Sequence, residues 1–234
     1  MPFVNSVAGK FGFGHTTADI FGSLRFNSAN EQVGEVTMTA IGTSTATVEL
    51  WFNADSVSIA QRLISTSTVA FVADDFSIRL DGTTIVAGPG AAATNGSTGP
   101  GVSSSTPPTA GVWNHVAWVG VSGTSQTLYL NGIRVGTGTA YNLTDPTFRI
   151  GGRRISGEFF NGYISNFRYV RGTALYSGAS FTVPGRPLYP ISGTEFLLKT
   201  TYGYTVREDK SINNYTINYT GTSLVDGSTL NPFS

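Results

Sequence analysis

At 234 residues, with 14 basic and 14 acidic side chains, the chain carries no net charge, and neither a basic helix nor an aromatic–basic strand of the nucleic-acid-binding type occurs, which argues against a nucleic-acid partner. Cysteine is absent, which excludes disulfides, thiolate chemistry and Cys-ligated zinc or iron–sulfur sites. Charged residues make up 12% of the chain, against about 25% in an ordinary globular domain, while Gly, Ser, Thr, Val, Tyr and Phe dominate and no amphipathic helical run is found, so an almost wholly β protein is expected.

Residues 1–22 intersperse glycine with Phe3, Phe11, Phe13 and Phe21. Ordering so many glycines is entropically expensive, and aromatic rings are costly to leave in water. The segment therefore reads as an arm that orders against a partner or the body, and its four phenylalanines are the attachment candidates. It has no apolar stretch of signal-peptide length, and no run of about 18 apolar residues occurs elsewhere, so neither an export signal nor membrane insertion is expected.

From residue 23 the chain alternates. Ser23–Phe26 and Gln32–Ile41 begin the series. In Ala46–Phe52, Val48, Leu50 and Phe52 form the more uniformly apolar face, against Thr47, Glu49 and Trp51. Arg62–Ile64, Ala70–Val72 and Phe76–Leu80 follow, with Asp81-Gly82 turning into Thr84–Ala87. Gly88–Gly111 reads as a loop too long to be a passive connection.

Val116–Val121 and Leu128–Leu130 alternate, and Asn131-Gly132 between Leu130 and Ile133 is the strongest hairpin signal in the sequence, because both residues tolerate positive φ. Phe148–Ile150 precedes Phe159–Val170, where strict alternation places Tyr163, Ser165, Phe167 and Tyr169 on one side and Ile164 and Val170 on the other. Thr173–Tyr176 has room for one helical turn. Thr194–Lys199 and Tyr215–Tyr219 are late strands, and Asp209-Lys210-Ser211 is a turn. Many short strands with frequent turns describe two antiparallel sheets face to face, with the strands near Leu24 and Leu197 expected to pair and close one domain over 23–234, extended at its C-terminus from about 202.

The signs of charge are uneven. Seven arginines (Arg134, Arg149, Arg153, Arg154, Arg168, Arg171 and Arg186) fall between Arg134 and Arg186 against only Asp145 and Glu158. Pairing across strands is the plain expectation; a basic recognition face is the alternative.

The segments Glu49-Leu50-Trp51, Trp113-Asn114-His115-Val116-Ala117, Leu128-Tyr129-Leu130-Asn131-Gly132, Ile150-Gly151-Gly152 and Gly162–Arg168 (GYISNFR) together resemble the concanavalin A-like lectin/glucanase jelly-roll sandwich in its laminin G-like form, over roughly residues 23–200. The continuation through Phe181-Thr182-Val183-Pro184 to the Asp209-Lys210-Ser211 turn is similar to laminin G-like modules in structural proteins of tailed bacteriophages, notably marine ones. That resemblance implies a virion location, on a capsid decoration or a tail fibre, with other virion proteins as partners and homo-oligomerisation.

Glycoside hydrolases of this fold carry an E-x-D-x-x-E strand, and retaining chemistry needs two carboxyl groups about 5–5.5 Å apart. The close acidic pairs here, Asp74-Asp75, Glu208-Asp209 and Glu31 with Glu35, do not reproduce that pattern, so no catalytic residue is assigned and a glycan-degrading enzyme is disfavoured. His115 sits where the resemblance implies a structural role at the start of a core strand. No cofactor is expected; related sandwiches bind calcium, for which Asp74, Asp75, Asp81 and Asp145 are the loop donors. Trp51, Trp113 and Trp118 match core or near-core positions. Asn95, Tyr141, Asn142, Arg153, Arg154 and Tyr176 are the candidates for a recognition surface. The sequence thus points to a non-enzymatic structural module of a phage virion that contacts the host surface, with a lectin-like receptor-binding protein as the alternative and a host-surface glycan as the candidate ligand.

Overall fold

Asn131 and Gly132 turn the chain with φ of 51° and 80°, joining β9 (Ser125–Leu130) to β10 (Ile133–Gly138) as a tight hairpin. The computed structural model describes residues 22–66, 75–89, 101–153, 158–201, 206–221, 226–228 and 230–233. Phe3, Phe11, Phe13, Phe21, Asp74, Asn95, Arg154, Tyr202, Tyr204 and the strand expected at Ala70–Val72 lie outside the described residues.

From that hairpin the first sheet runs β10, β9, β8 (Asn114–Val121), β3 (Ala46–Ala54), β12 (Gly162–Arg171), β1 (Ser23–Phe26) and β16 (Asp226–Ser228), with β13 (Thr194–Thr201) also on β12 and β14 (Val206–Asp209) on β13. The second sheet runs β15 (Asn218–Thr220), β2 (Val33–Thr37), β11 (Thr147–Ile150), β4 (Gln61–Ser65), β5 (Phe76–Asp81), β6 (Thr84–Pro89) and β7 (Val102–Ser103). Neighbouring strands pair antiparallel throughout. The only helix among the described residues is one 3-10 turn, Ser28–Asn30.

The strands near Leu24 and Leu197 do not pair with each other. They lie end to end along one edge of β12, with Leu24 opposite Ile164 and Leu197 opposite Arg168. The loop expected from Gly88 contributes β7, which pairs with β6 through Ser103 and Val102. Thr173–Tyr176 is not helical; it runs without regular secondary structure and is tied down by Thr47 on β3, which donates from Oγ1 to Thr173 O at 2.9 Å and accepts from Leu175 N at 3.0 Å.

Val48, Leu50 and Phe52 do face the core, meeting Trp118, Phe76, Phe148 and Ile78 between the sheets. On β12 the strict alternation fails. A bulge between Ser165 and Arg168, with Asn166 at φ 52°, inserts an extra residue, so Ile164, Phe167 and Tyr169 all face the core while Tyr163 turns outward under the Arg25 guanidinium. The bulge brings Arg168 onto the outer face directly opposite Glu49.

Candidate functional site

The outer face of the first sheet is also buried. After β12 the chain crosses it as a strap, residues 172–193, before entering β13. Phe181 stacks on Tyr176 with ring centroids 3.6 Å apart and meets the edge of Tyr129 at 5.2 Å, and these rings close over Ala117 and Val119. Backbone bonds from Arg134 N to Ala179 O and from Phe181 N to Gly132 O pin the strap to the β9–β10 hairpin. Asn166 at the bulge accepts from Leu188 N at 2.9 Å and holds the strap's far end.

Beneath the strap sits one carboxylate, Glu49, with no solvent exposure. Arg168 donates to Oε1 from Nε at 2.8 Å and from Nη2 at 2.5 Å; Tyr176 donates to Oε2 at 2.7 Å, and His115 Nε2 lies 3.1 Å from the same oxygen. Burial alone pushes the Glu49 carboxyl up, but the hydrogen bond and charge of His115, then the charge of Arg168 and the Tyr176 hydroxyl, outweigh it and hold the group below its ordinary value. A carboxylate can only accept, so His115 Nε2 carries its hydrogen. Burial, and then the charge of Glu49, push the Tyr176 hydroxyl up, which keeps it a donor. The cluster is therefore an ionic lock that binds β3, β8, β12 and the strap together. A general acid would need a proton to give, and a nucleophile would need access; Glu49 has neither.

The second sheet's outer face carries a different array. Arg149 on β11 is buried and reaches Glu35 on β2 at 3.0 Å and the carbonyl of Thr66 at 3.2 Å. Arg62 and Arg79 lie directly opposite one another on β4 and β5, made tolerable by Glu158 at 2.6 Å from Arg62 and Asp81 at 2.8 Å from Arg79. Arg153 approaches Glu158 at 3.7 Å. Of the seven arginines singled out from sequence, Arg149 and Arg168 pair with glutamates on neighbouring strands, Arg153 approaches a glutamate outside the strands, and Arg154 lies outside the described residues. Between the 3-10 turn, β2, β11 and β15, a cleft of about 340 Å³ opens, lined by Glu31, Val33, Glu35, Arg149, Arg153, Phe159, Thr220 and Gly221.

Of the residues singled out from sequence, Arg153 lines this cleft and Asn142 is exposed in the segment before β11. Tyr141 is not at a surface: it is buried against Trp118 at 5.2 Å, with its hydroxyl donating to Ser44 O. Tyr176, expected near a recognition loop, is half-buried and taken up by Glu49 and Phe181. His115 does stand at the start of a buried strand. Glu49 and Glu31 were missed as partners. A single Glu on β3, a single His on β8 and Arg168 on β12, strands rich in apolar residues, were the available signal for the lock.

Calcium finds no fit among the described residues. Asp81 is committed to Arg79, Asp145 accepts from Thr147 N at 2.8 Å, and no group of three or more His, Asp or Glu side chains stands close enough to hold an ion.

Two faced antiparallel sheets with a strapped outer face define a lectin-like jelly-roll sandwich. A laminin G family model, described as the concanavalin A-like lectin/glucanase superfamily, matches residues 26–175, well over half of the chain, and the protein belongs to that superfamily. Among solved structures, a putative carbohydrate-binding protein from Bacteroides ovatus is similar at 16% identity with a TM-score of 0.57, over 88% of this chain and 61% of that one. The LG4-5 domains of the mouse laminin alpha1 chain (14% identity, TM-score 0.48, 70% and 47% covered) and a heptameric SAP-like pentraxin from Limulus polyphemus (20%, 0.45, 64% and 76%) are further neighbours. The chain spans about three fifths of the length of the Bacteroides protein. No curated protein matches the sequence.

Proposed function

We propose that this protein is a non-enzymatic recognition and structural module of a bacteriophage virion, a capsid decoration or fibre component that contacts a host-surface glycan. One observation carries the non-enzymatic part: most carboxylates of the described residues are spent on the fold, and Glu31, which is not, has beside it in its cleft only Glu35, already paired to Arg149. Glu49 is locked by three donors, Glu35 and Glu158 hold buried arginines, Asp55 pairs with Arg25, and Asp209 accepts from Leu197 N, Ser211 and Tyr215 N to shape the turn that follows β14. Two free carboxyl groups across a sugar, the requirement for hydrolysis, are not assembled there. The fold shared with a putative carbohydrate-binding protein supports a glycan as ligand. The virion location rests on the likeness of the strap and the Asp209-Lys210-Ser211 turn to phage modules; both segments are integral to the body, not appendages.

Attachment falls to residues 1–22. The arm ends where Gly22 O accepts from Ser165 Oγ at 2.8 Å, beside β12. Its four phenylalanines would each contribute about 1.5–3 kcal/mol on burial against a neighbour, before ordering costs. Several anchors are needed at once, which symmetric homo-oligomerisation supplies. Gold-labelled antibody should decorate purified particles of the encoding phage at regular positions, and unlabelled particles would remove the virion reading. Deleting residues 2–20 should leave a folded protein absent from particles; full occupancy by the truncated chain would move the anchor elsewhere.

A further inference from the structure

We infer that the cleft between β2, β11 and β15 is a binding site for a neutral pyranose, the terminal sugar of a glycan; this rests on the recognition role proposed above and names its ligand class and site. Its volume of about 340 Å³ lies at the lower end of small-molecule sites, enough for a terminal sugar and too little for a long chain segment. Charge decides the class. Glu31 and Glu35 bring two carboxylates, Arg149 and Arg153 two guanidiniums, so the lining is balanced: a phosphate or uronate meets the acids, and an amine meets the arginines. A polyhydroxylated neutral ring uses both, its hydroxyls donating to carboxylates and accepting from guanidiniums.

The parts are held before any ligand arrives. Arg149 is buried and aimed by Glu35 and the Thr66 carbonyl, and Arg153 is steered by Glu158. Phe159 supplies the apolar floor. It lies so close over Gly152 that a Cβ there would come within 2.9 Å of the ring and 2.7 Å of Val33, so only glycine leaves the phenyl seated where a sugar's C–H face can stack on it. Glu31 is the least expected element. It sits at φ 52°, ψ 38°, a left-handed conformation unusual for a non-glycine residue, after the 3-10 turn that Asn27 caps through Ala29 N. Gly221 packs against its backbone, where a Cβ would meet Glu31 O at 3.1 Å and Asn30 O at 2.7 Å. No hydrogen bond or ion pair engages the Glu31 carboxylate among the described residues. Backbone strain that presents an uncommitted acceptor into a cleft, beside an aromatic floor and two oriented guanidiniums, is how a hydroxyl-binding site is built.

The test is saturation-transfer NMR on the full chain with free glucose, galactose, mannose, N-acetylglucosamine and glucuronate. At least one neutral sugar should give transfer, strongest on the protons of one ring face, and bind more tightly than glucuronate. Phe159→Ala and Glu31→Gln should each weaken it at least tenfold, with Ser125→Ala, exposed on β9 of the other sheet, unchanged. Where Phe159→Ala fails to fold, Glu31→Gln, on an exposed side chain, decides alone. Binding of glucuronate in preference, binding untouched by Glu31→Gln, or no transfer from any neutral sugar would each overturn the assignment. Cleavage of a glycan would instead remove the non-enzymatic reading and leave the cleft's ligand class standing.

Discussion

Replacing Trp118 by alanine is expected to destabilise the protein by about 3–5 kcal/mol, the range for deleting a large aromatic from a packed core. Trp118 has no solvent exposure and sits in the central strand β8, edge-on to Phe76 at 5.0 Å and to Tyr141 at 5.2 Å. The surrounding backbone is shaped to it: a Cβ on Gly120 would come within 2.5 Å of the indole, so the glycine makes the room that the ring fills. Its Nε1 donates to Gln126 Oε1 at 2.9 Å, and Gln126 in turn donates to Thr139 O, so the truncation takes a buried donor from Gln126 as well as leaving a void. Rigid sheet neighbours cannot collapse into that void, which favours the upper half of the range. Urea denaturation of both proteins reads the difference directly. Domains have only about 5–15 kcal/mol to lose, so the variant should be near the edge of folding at room temperature. A loss below about 1 kcal/mol would mean the central strand packs differently from the arrangement described.

The second large effect belongs to Glu49→Gln, which keeps the side chain's shape and removes its charge. Arg168 is then left buried without its counter-ion, and breaking a buried ion pair from one side costs about 3–5 kcal/mol. The acid pH dependence separates this from a packing effect. The folded carboxyl is held below its ordinary value of 4.5, so its contribution is fully present above that value and is lost as pH falls from there through the lowered folded value. The stability gap between wild type and variant should therefore be widest near neutral pH and close progressively on acidification below 4.5. A gap that stays constant into strong acid would show that the glutamate acts through shape alone. Because Tyr176 and Arg168 join Glu49 to the strap, proteolysis should also cut the variant preferentially within residues 172–193.

Much of the sandwich could be read from residue order, and the failures have physical causes. The Asn131-Gly132 hairpin and the inward set Val48, Leu50 and Phe52 followed from turn chemistry and a period of two. What alternation cannot reveal is a second cover. It assumes the other face meets water, whereas the strap buries Thr47 and Glu49 as deeply as the core face. Nor does it announce a bulge: Asn166 carries no more turn signal than several other asparagines, yet it reverses the facing of everything after it on β12 and thereby brings Arg168 to Glu49. Acidic residues were sought as close pairs in sequence, and Glu49, isolated between Val48 and Leu50, escaped that search. The cleft was less legible still. Glu31 and Glu35 come from the first turn and β2, Arg149 and Phe159 from more than a hundred residues later, and Thr220 from the end of the chain. They meet because β11 and β15 flank β2, a strand order that local pattern does not encode. Tyr141 shows the converse error, since a tyrosine beside a predicted loop looks like a surface aromatic until the indole it packs against is placed.

The proposed role, in which this sandwich holds glycans without cutting them, is tested most directly by incubation with a panel of bacterial and algal polysaccharides. No new reducing ends should appear above the level of a buffer control, however long the incubation. Turnover that is abolished by replacing any one of Glu31, Glu35, Asp74 or Asp75 would contradict the claim.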